Sequence, residues 1–152
     1  MILGKKNFLN IIKNTPLCSI DILIKVKDKY LLCLRNNKPA KNTYMVPGGR
    51  ILKNEKYQNA INRILKKELN LKSLNPKFKL IGIFNHIYKN NVFGVKGINT
   101  HYFVCAIKIE YRKGVCIEKD SQHSEFKFMS KKEALINKRV HKFTKLYLKE
   151  VK

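Results

Sequence analysis

The sequence predicts an α/β (α+β) fold, and three features of its 152 residues carry that reading. Segments rich in Ile, Leu and Val around 17–35 and 79–111 have the length and composition of strands. Between them, residues 57–69 place apolar side chains three and four apart, the spacing of an amphipathic helix. A hydrophobic content of 44% supplies a core, and the length suits one domain, residues 1–152, better than two.

In chain order, Phe8, Leu9, Ile11 and Ile12 form an apolar stripe on a short helix that stops before Pro16. Residues 17–27 alternate, Lys27-Asp28-Lys29 turns the chain, and residues 30–35 return to make a hairpin. Residues 36–43 are polar and contain Pro39, hence a loop. Residues 44–46 form a short strand running into a turn at Pro47-Gly48-Gly49-Arg50. The helix that follows carries Tyr57, Ala60, Ile61, Ile64, Leu65 and Leu69 on one stripe, with Glu68 inside it. Strands at 79–88 and 100–111 flank a loop containing Gly94 and Gly97, and 125–129 is a further strand. Ser130 caps a short helix through Leu135. A last helix over 139–151 bears Val140, Phe143, Leu146 and Tyr147.

The spacing from 49 to 70 carries chemistry. Five residues separate Gly49 from Glu55 and seven more separate Glu55 from Arg63; then come Ile64, Lys67, Glu68 and Asn70. This resembles the Nudix box, in which Arg is followed by Glu, an apolar residue, any residue, Glu-Glu, any residue and Gly. The acids at 64 and 67 are missing here, Glu68 survives, and Asn70 stands at the closing glycine. On a helix, residues three and four apart are neighbours, so a full box offers a wall of carboxylates to several Mg²⁺ ions. This chain offers one carboxylate, and Lys67 sets a cation where a ligand would stand, so a site here holds fewer ions and recruits ligands from elsewhere. Mg²⁺ commonly keeps waters and substrate phosphate oxygens in its shell. One carboxylate therefore suffices where the substrate brings a diphosphate. The paired glycines permit backbone conformations that aim a carbonyl oxygen at such an ion.

Further segments point to one branch of that family. Thr15-Pro16-Leu17 with Ser19 and Asp21, Arg35-Asn36-Asn37-Lys38-Pro39-Ala40, Val46-Pro47-Gly48-Gly49-Arg50, His86, Thr100-His101-Tyr102 and Gln122-His123 together resemble GDP-mannose mannosyl hydrolase. The likeness runs from about Phe8 to about Met129, and the missing helix acids are themselves a feature of that branch. It implies the Nudix fold, a mixed β-sheet sandwiched between helices. It also implies water attack at the anomeric carbon of GDP-mannose, releasing GDP and free sugar with inversion. The loop at 90–99 is longer than expected, and Asn36 stands where a base-recognition residue is expected; either difference allows GDP-glucose or another nucleotide sugar.

The resemblance assigns roles as well. Gly48 through its carbonyl, Glu68 and Gln122 would hold one Mg²⁺ per site, with Mn²⁺ as a substitute. His123 would be the general base, a task suited to an imidazole, whose ordinary pKa is about 6.5. Arg35 would stabilise charge on the departing GDP, and Tyr102 would donate to the leaving phosphate. Asp21, Arg50 and His86 would hold the mannose, and Phe8 would stack on guanine. A homodimer is implied, with the N-terminal helix at its contact. Taken by themselves, Tyr102 also reads as a core aromatic, His123 as an exposed histidine and Glu68 as a solvated helix-end acid. Asp21 interrupts an apolar strand and so calls for a partner. His101 falls on the opposite strand face and reads as structural.

The net charge is +23, but 28 of the 33 basic residues are Lys, spread from Lys5 to Lys152. With no helix-turn-helix, zinc-finger or aromatic RNA-binding motif, this argues for weak, salt-sensitive attraction to polyanions and against a specific nucleic-acid site. Three of the five arginines, Arg35, Arg50 and Arg63, lie in or just before the box, where a planar fork grips phosphate as lysine does not. Cys18, Cys33, Cys105 and Cys116 lack zinc spacing and read as buried, reduced thiols. No stretch approaches the ~20 apolar residues of a membrane span, and charge breaks the first six residues before a signal peptide forms. A soluble, cytoplasmic protein without a membrane partner is expected. Two rival classes stay open. An ordinary Nudix pyrophosphohydrolase attacking phosphorus is opposed by the lost acids at 64 and 67; a non-enzymatic nucleotide- or RNA-binding relative is opposed by the retained Glu68, Gln122 and His123.

Overall fold

The strand β1 (Leu17–Val26) is apolar on both sides because helices cover both of its faces. Ile20, Ile22 and Ile24 face the helix α2 (Tyr57–Leu69), whose Ile61, Ile64, Leu65 and Leu69 are fully buried against them. Burying each such side chain stabilises the fold by about 1.5–3 kcal/mol. Leu23 faces the other way, towards Tyr147 and Leu148 of the C-terminal helix α4 (Lys142–Glu150). Strand alternation puts Asp21 on this second face, a charged break beside Leu23 in that row.

The computed structural model describes residues 3–38, 40–71, 75–111 and 123–151, without the side chains of residues 123 and 124. The predicted hairpin is present: β1 turns at Lys27 and Asp28 into the antiparallel β2 (Lys29–Arg35), with Lys27 in the left-handed region at φ 55°. The sheet order is β3 (Tyr44–Met45), β2, β1, β6 (Thr100–Tyr111), β5 (Phe78–Tyr88). β1 and β6 run parallel from Leu17/Tyr102 to Val26/Tyr111, and the remaining neighbours are antiparallel, so the sheet is mixed and lies between helices, as expected. β7 (His123–Ser130) pairs with β2 and begins two residues before the predicted strand. A bulge between Leu34 and Arg35 shifts this register and sets Arg35 opposite His123. Among the described residues no helix is long and apolar enough to cross a membrane.

The helix ends follow local chemistry. Asn70 caps α2 in the left-handed conformation at φ 50°, donating to the Leu65 carbonyl. Asparagine tolerates that conformation better than most residues, so it replaces the box's closing glycine without strain. Ser130 and Glu133 form a reciprocal capping box on α3 (Lys131–Ile136).

Several expectations are corrected. Gly48–Arg50 is a short strand, β4, that pairs antiparallel with Ser19, Ile20 and Asp21 of β1. Neither Gly48 nor Gly49 has a positive φ, so backbone freedom is not what these glycines provide. In α1 (Lys5–Asn14) only Ile12 is buried; Phe8, Leu9 and Ile11 are half-buried. Tyr57 and Leu146 lie outside their helix stripes, at 59% and 42% exposure. α4 starts at Lys142 rather than Arg139, because residues 139–141 are held alongside Tyr44 by bonds from Tyr44 N–H to Arg139 O and from His141 N–H to Tyr44 O. Of the cysteines, Cys33 is buried, Cys105 half-buried and Cys18 exposed beside the exposed Phe103; Cys116 lies outside the described residues.

Candidate active site

A cleft of about 530 Å³ opens where β1, β4 and α2 meet the ends of β2, β5 and β6. That volume suits a small organic ligand. Phe8, Asp21, Arg35, Gly48, Arg50, Glu68, His86 and Tyr102 all line it, so the predicted site residues whose side chains are described share one cavity although they come from seven different elements. Gln122 lies outside the described residues. His123 is placed by its backbone at the start of β7, opposite Arg35 in the strand register.

The wall nearest α2 is built by β4. Ile22 N–H donates to Pro47 O and Ile51 N–H to Cys18 O, so residues 47, 49 and 51 turn their backbone groups towards β1. Antiparallel alternation then turns the N–H and C=O of Gly48 the other way. Gly48 N–H donates to Glu68 Oε2 at 3.0 Å, and Glu68 is only 5% exposed. What Gly48 requires is space: a Cβ there would lie 2.8 Å from the Ile20 carbonyl oxygen and collide with Asp21 Oδ1. A buried carboxylate and a peptide carbonyl on the same side are oxygen donors fit for a hard divalent cation that completes its shell with water and substrate oxygens. Among the described residues no group of three His, Cys, Asp or Glu gathers to hold a metal ion.

Glu55 and Arg63 of the box form a brace. Arg63 Nε and Nη2 donate to Glu55 Oε1 and Oε2, both at 2.7 Å, and Nη2 also donates to Arg50 O at 2.8 Å. Leu52 N–H donates to Glu55 Oε2, so the segment after β4 is tied to α2. The Arg63 hydrogen bond holds the Glu55 carboxyl below its usual range. Arg63 is thus engaged by its own chain, whereas Arg35 Nε is buried in the cleft wall with no hydrogen-bond partner among the described residues. An orphaned guanidinium donor at a cleft invites an anion. Arg50 lays its guanidinium 3.9 Å above the Phe8 ring, and Phe93 meets that ring edge-on at 5.8 Å.

The opposite wall is polar but closed. Burial lifts the Asp21 carboxyl to about 6, and Tyr147 Oη donates to its Oδ2 at 2.7 Å. The same Oη lies 3.0 Å from His86 Nε2. His86 is 2% exposed and stacks flat on Phe143 at 3.7 Å; burial pulls it down to about 4, so its ring is neutral. His86 therefore reaches the cleft only at an edge. Tyr102 is half-buried in the wall, and Tyr88, which also lines the cleft, stands edge-on to it at 6.0 Å. His101 Nε2 donates to Asn85 Oδ1 on the far face, a structural position.

Sequence reasoning missed Tyr147, Tyr88 and Phe93. Tyr147 was visible only as a member of an apolar stripe, yet a phenol there carries a polar end that demands a partner. The same logic that flagged Asp21 applies to it. Phe93 reaches the cleft because Asn91, fully buried, bonds four backbone groups of its own loop, at Phe93, Val95 (twice) and Ile98.

The fold and this cleft place the protein among known relatives. The chain belongs to the Nudix family: the NUDIX domain model matches residues 18–150. As a Nudix hydrolase it is an enzyme of a family that generally uses divalent metal ions. It is similar to the low-salt glycan biosynthesis protein Agl8 of Haloferax volcanii, 35% identical over 118 residues, which cover 77% of this chain and 72% of that protein. Its fold is similar to a MutT NUDIX hydrolase from Burkholderia pseudomallei (TM-score 0.71, 17% identity, covering 91% of this chain and 100% of that one). It is also similar to a MutT protein from Methanosarcina mazei Go1 (TM-score 0.69, 17% identity, 90% and 93% covered). The NUDIX domain of Shewanella oneidensis NrtR, solved with ADP ribose, has a TM-score of 0.69 at 14% identity, with 97% and 96% covered.

Proposed function

We propose that this enzyme hydrolyses GDP-mannose, or GDP-glucose, at the anomeric carbon, giving GDP and the free sugar. One observation carries the reading: the α2 face above Gly48 presents Ile64, Lys67 and Glu68 to the cleft, a single carboxylate where phosphorus-directed chemistry in this family calls for three acids. A donor set that small fits a reaction in which the ion has only to meet charge on a leaving diphosphate. The similarity to a glycan biosynthesis protein supports a sugar nucleotide as substrate.

In this mechanism water attacks C1 of the sugar, and the C1–O bond to the diphosphate breaks with its electron pair remaining on GDP. His123 removes the water's proton. Arg35, whose Nε has no other partner among the described residues, takes the oxygen charge that develops on the departing diphosphate. Tyr102 donates a hydrogen bond to the same group. Gly48, Glu68 and Gln122 would hold the divalent cation, Mg²⁺, which would supply positive charge to the leaving diphosphate. Asp21 accepts from a sugar hydroxyl and Arg50 donates to the sugar, with His86 acting from behind Asp21. Phe8, one face of which lies under Arg50, offers its opposite face to guanine. A cytoplasmic location and a homodimer belong to the same proposal. Incubation with GDP-mannose and Mg²⁺ tests it: GDP and mannose are expected, and GMP with mannose 1-phosphate refutes it.

A further inference from the structure

Tyr147 reaches the cleft wall from behind. Its side chain is fully buried in α4, 126 residues from Asp21, yet its hydroxyl joins Asp21 Oδ2 and His86 Nε2. The direction of this chain follows from donor chemistry. A carboxylate only accepts, so the phenolic proton points at Asp21, and the tyrosine oxygen must then accept from His86. A neutral imidazole has one N–H; the hydroxyl lies 3.0 Å from Nε2 and 3.4 Å from Nδ1, and the shorter contact assigns that proton to Nε2. Burial favours each of these states, holding His86 neutral and pushing the Tyr147 hydroxyl far above the usual phenol range.

We infer that Tyr147 is a positioning residue of the cleft: it pins one carboxylate oxygen of Asp21 so that the other, Oδ1, is presented as an acceptor to a hydroxyl group of the bound ligand. Oδ1 lies on the Gly48 side of the cleft, at the point where a Cβ on Gly48 would collide with it. An acceptor with one oxygen fixed selects for a donor at one place and angle, which is what distinguishes a polyol such as a sugar from a phosphate. The ring of Tyr147 has a separate, packing role, edge-on to Phe84 at 4.9 Å, while His86 is clamped flat on Phe143. The hydroxyl alone therefore carries the positioning. The inference deepens the proposed function and rests on it only for the identity of the sugar.

Tyr147→Phe keeps the ring and removes the hydroxyl. The variant is expected to retain the wild-type circular dichroism spectrum and to bind GDP, which lacks the mannose, within twofold of wild type. Its KM for GDP-mannose is expected to rise roughly tenfold, the effect of a lost buried hydrogen bond. Equal weakening towards GDP and GDP-mannose, or no weakening of either, overturns the role. Histidine ¹⁵N NMR provides a readout that needs no substrate: wild-type His86 should be protonated at Nε2, and Tyr147→Phe should move population to the Nδ1 tautomer. Wild-type His86 protonated at Nδ1, or an unchanged tautomer in the variant, overturns the inference, and the wild-type spectrum decides even if the variant does not fold. A wild-type protein whose His86 is protonated at Nε2 but which binds no GDP-sugar overturns the substrate and leaves the hydrogen-bond chain standing.

Discussion

Gly48→Ala should damage this protein far more than Gly49→Ala, though the two glycines are adjacent in a three-residue strand. At Gly48 the new Cβ would stand 2.8 Å from the Ile20 carbonyl oxygen and run into the Asp21 carboxylate, so backbone has to move. Pushing β4 off β1 strains the Ile22 N–H to Pro47 O bond at 2.8 Å and pulls Gly48 N–H from Glu68. Overpacking costs about 1–3 kcal/mol, and loss of a hydrogen bond to a carboxylate about 1.5–3 kcal/mol. With partial relaxation the total is roughly 2–5 kcal/mol, a fall in Tm on the order of 10 °C for a domain of this size. At Gly49 the Cβ would meet only the Ile64 side chain, 3.2 Å from Cγ1, which can turn aside for less than about 1.5 kcal/mol. Urea unfolding of both variants, with turnover measured alongside, provides the comparison. A Gly48→Ala protein as stable and active as Gly49→Ala would show that the close approach of β4 to Asp21 does not organise the site.

Other outcomes follow from the same geometry. Glu68→Gln keeps an acceptor for Gly48 N–H and loses the charge, so folding should persist while activity collapses; metal titration with a GDP-sugar should give one functional site in the wild type and none in the variant, and two or three protein-bound ions in the wild type would contradict the single-carboxylate reading. Arg35→Lys keeps the charge but not the fork, so kcat should fall more than ground-state binding weakens, and normal turnover would mean that Arg35 does not face the leaving group. His86 and His141 are both held at about 4 by burial, against an ordinary 6.5, so between those values the unfolded chain binds protons that the folded chain refuses and stability falls as pH is lowered. Asp21, raised from 3.8 to about 6, acts in the opposite sense, but as one group against two. The urea midpoint should therefore drop between pH 7 and pH 4.5, and a rising midpoint would contradict the buried neutral histidines.

What the sequence made legible was local or periodic. The α2 stripe, the hairpin and the Ser130 cap depend on neighbours within a few residues and are read directly. Glu68 stands inside the apolar stripe in the sequence, and the structure buries it there with Gly48 N–H as a donor. The Glu55 to Arg63 interval looked like phosphate chemistry and is instead a brace between loop and helix, because a fork that meets a carboxylate eight residues away is already engaged. In sequence β4 reads as a turn, because two glycines give it no strand propensity; it is a strand because only a residue without Cβ can lie against Asp21 at position 48. Cys18 reads as buried with its strand but is exposed, beside the exposed Phe103 of β6. The partnership of Asp21 with Tyr147 spans 126 residues and depends on which helix covers which face of the sheet, information that no spacing rule contains.

The central claim, attack at carbon rather than phosphorus, is tested most directly by turnover of GDP-mannose in ¹⁸O-labelled water followed by mass spectrometry of each product. Water that adds to C1 leaves its oxygen on the sugar, so the label should appear in mannose and the GDP should remain unlabelled. Label in GMP, GDP or mannose 1-phosphate would place the attack at phosphorus and contradict the account.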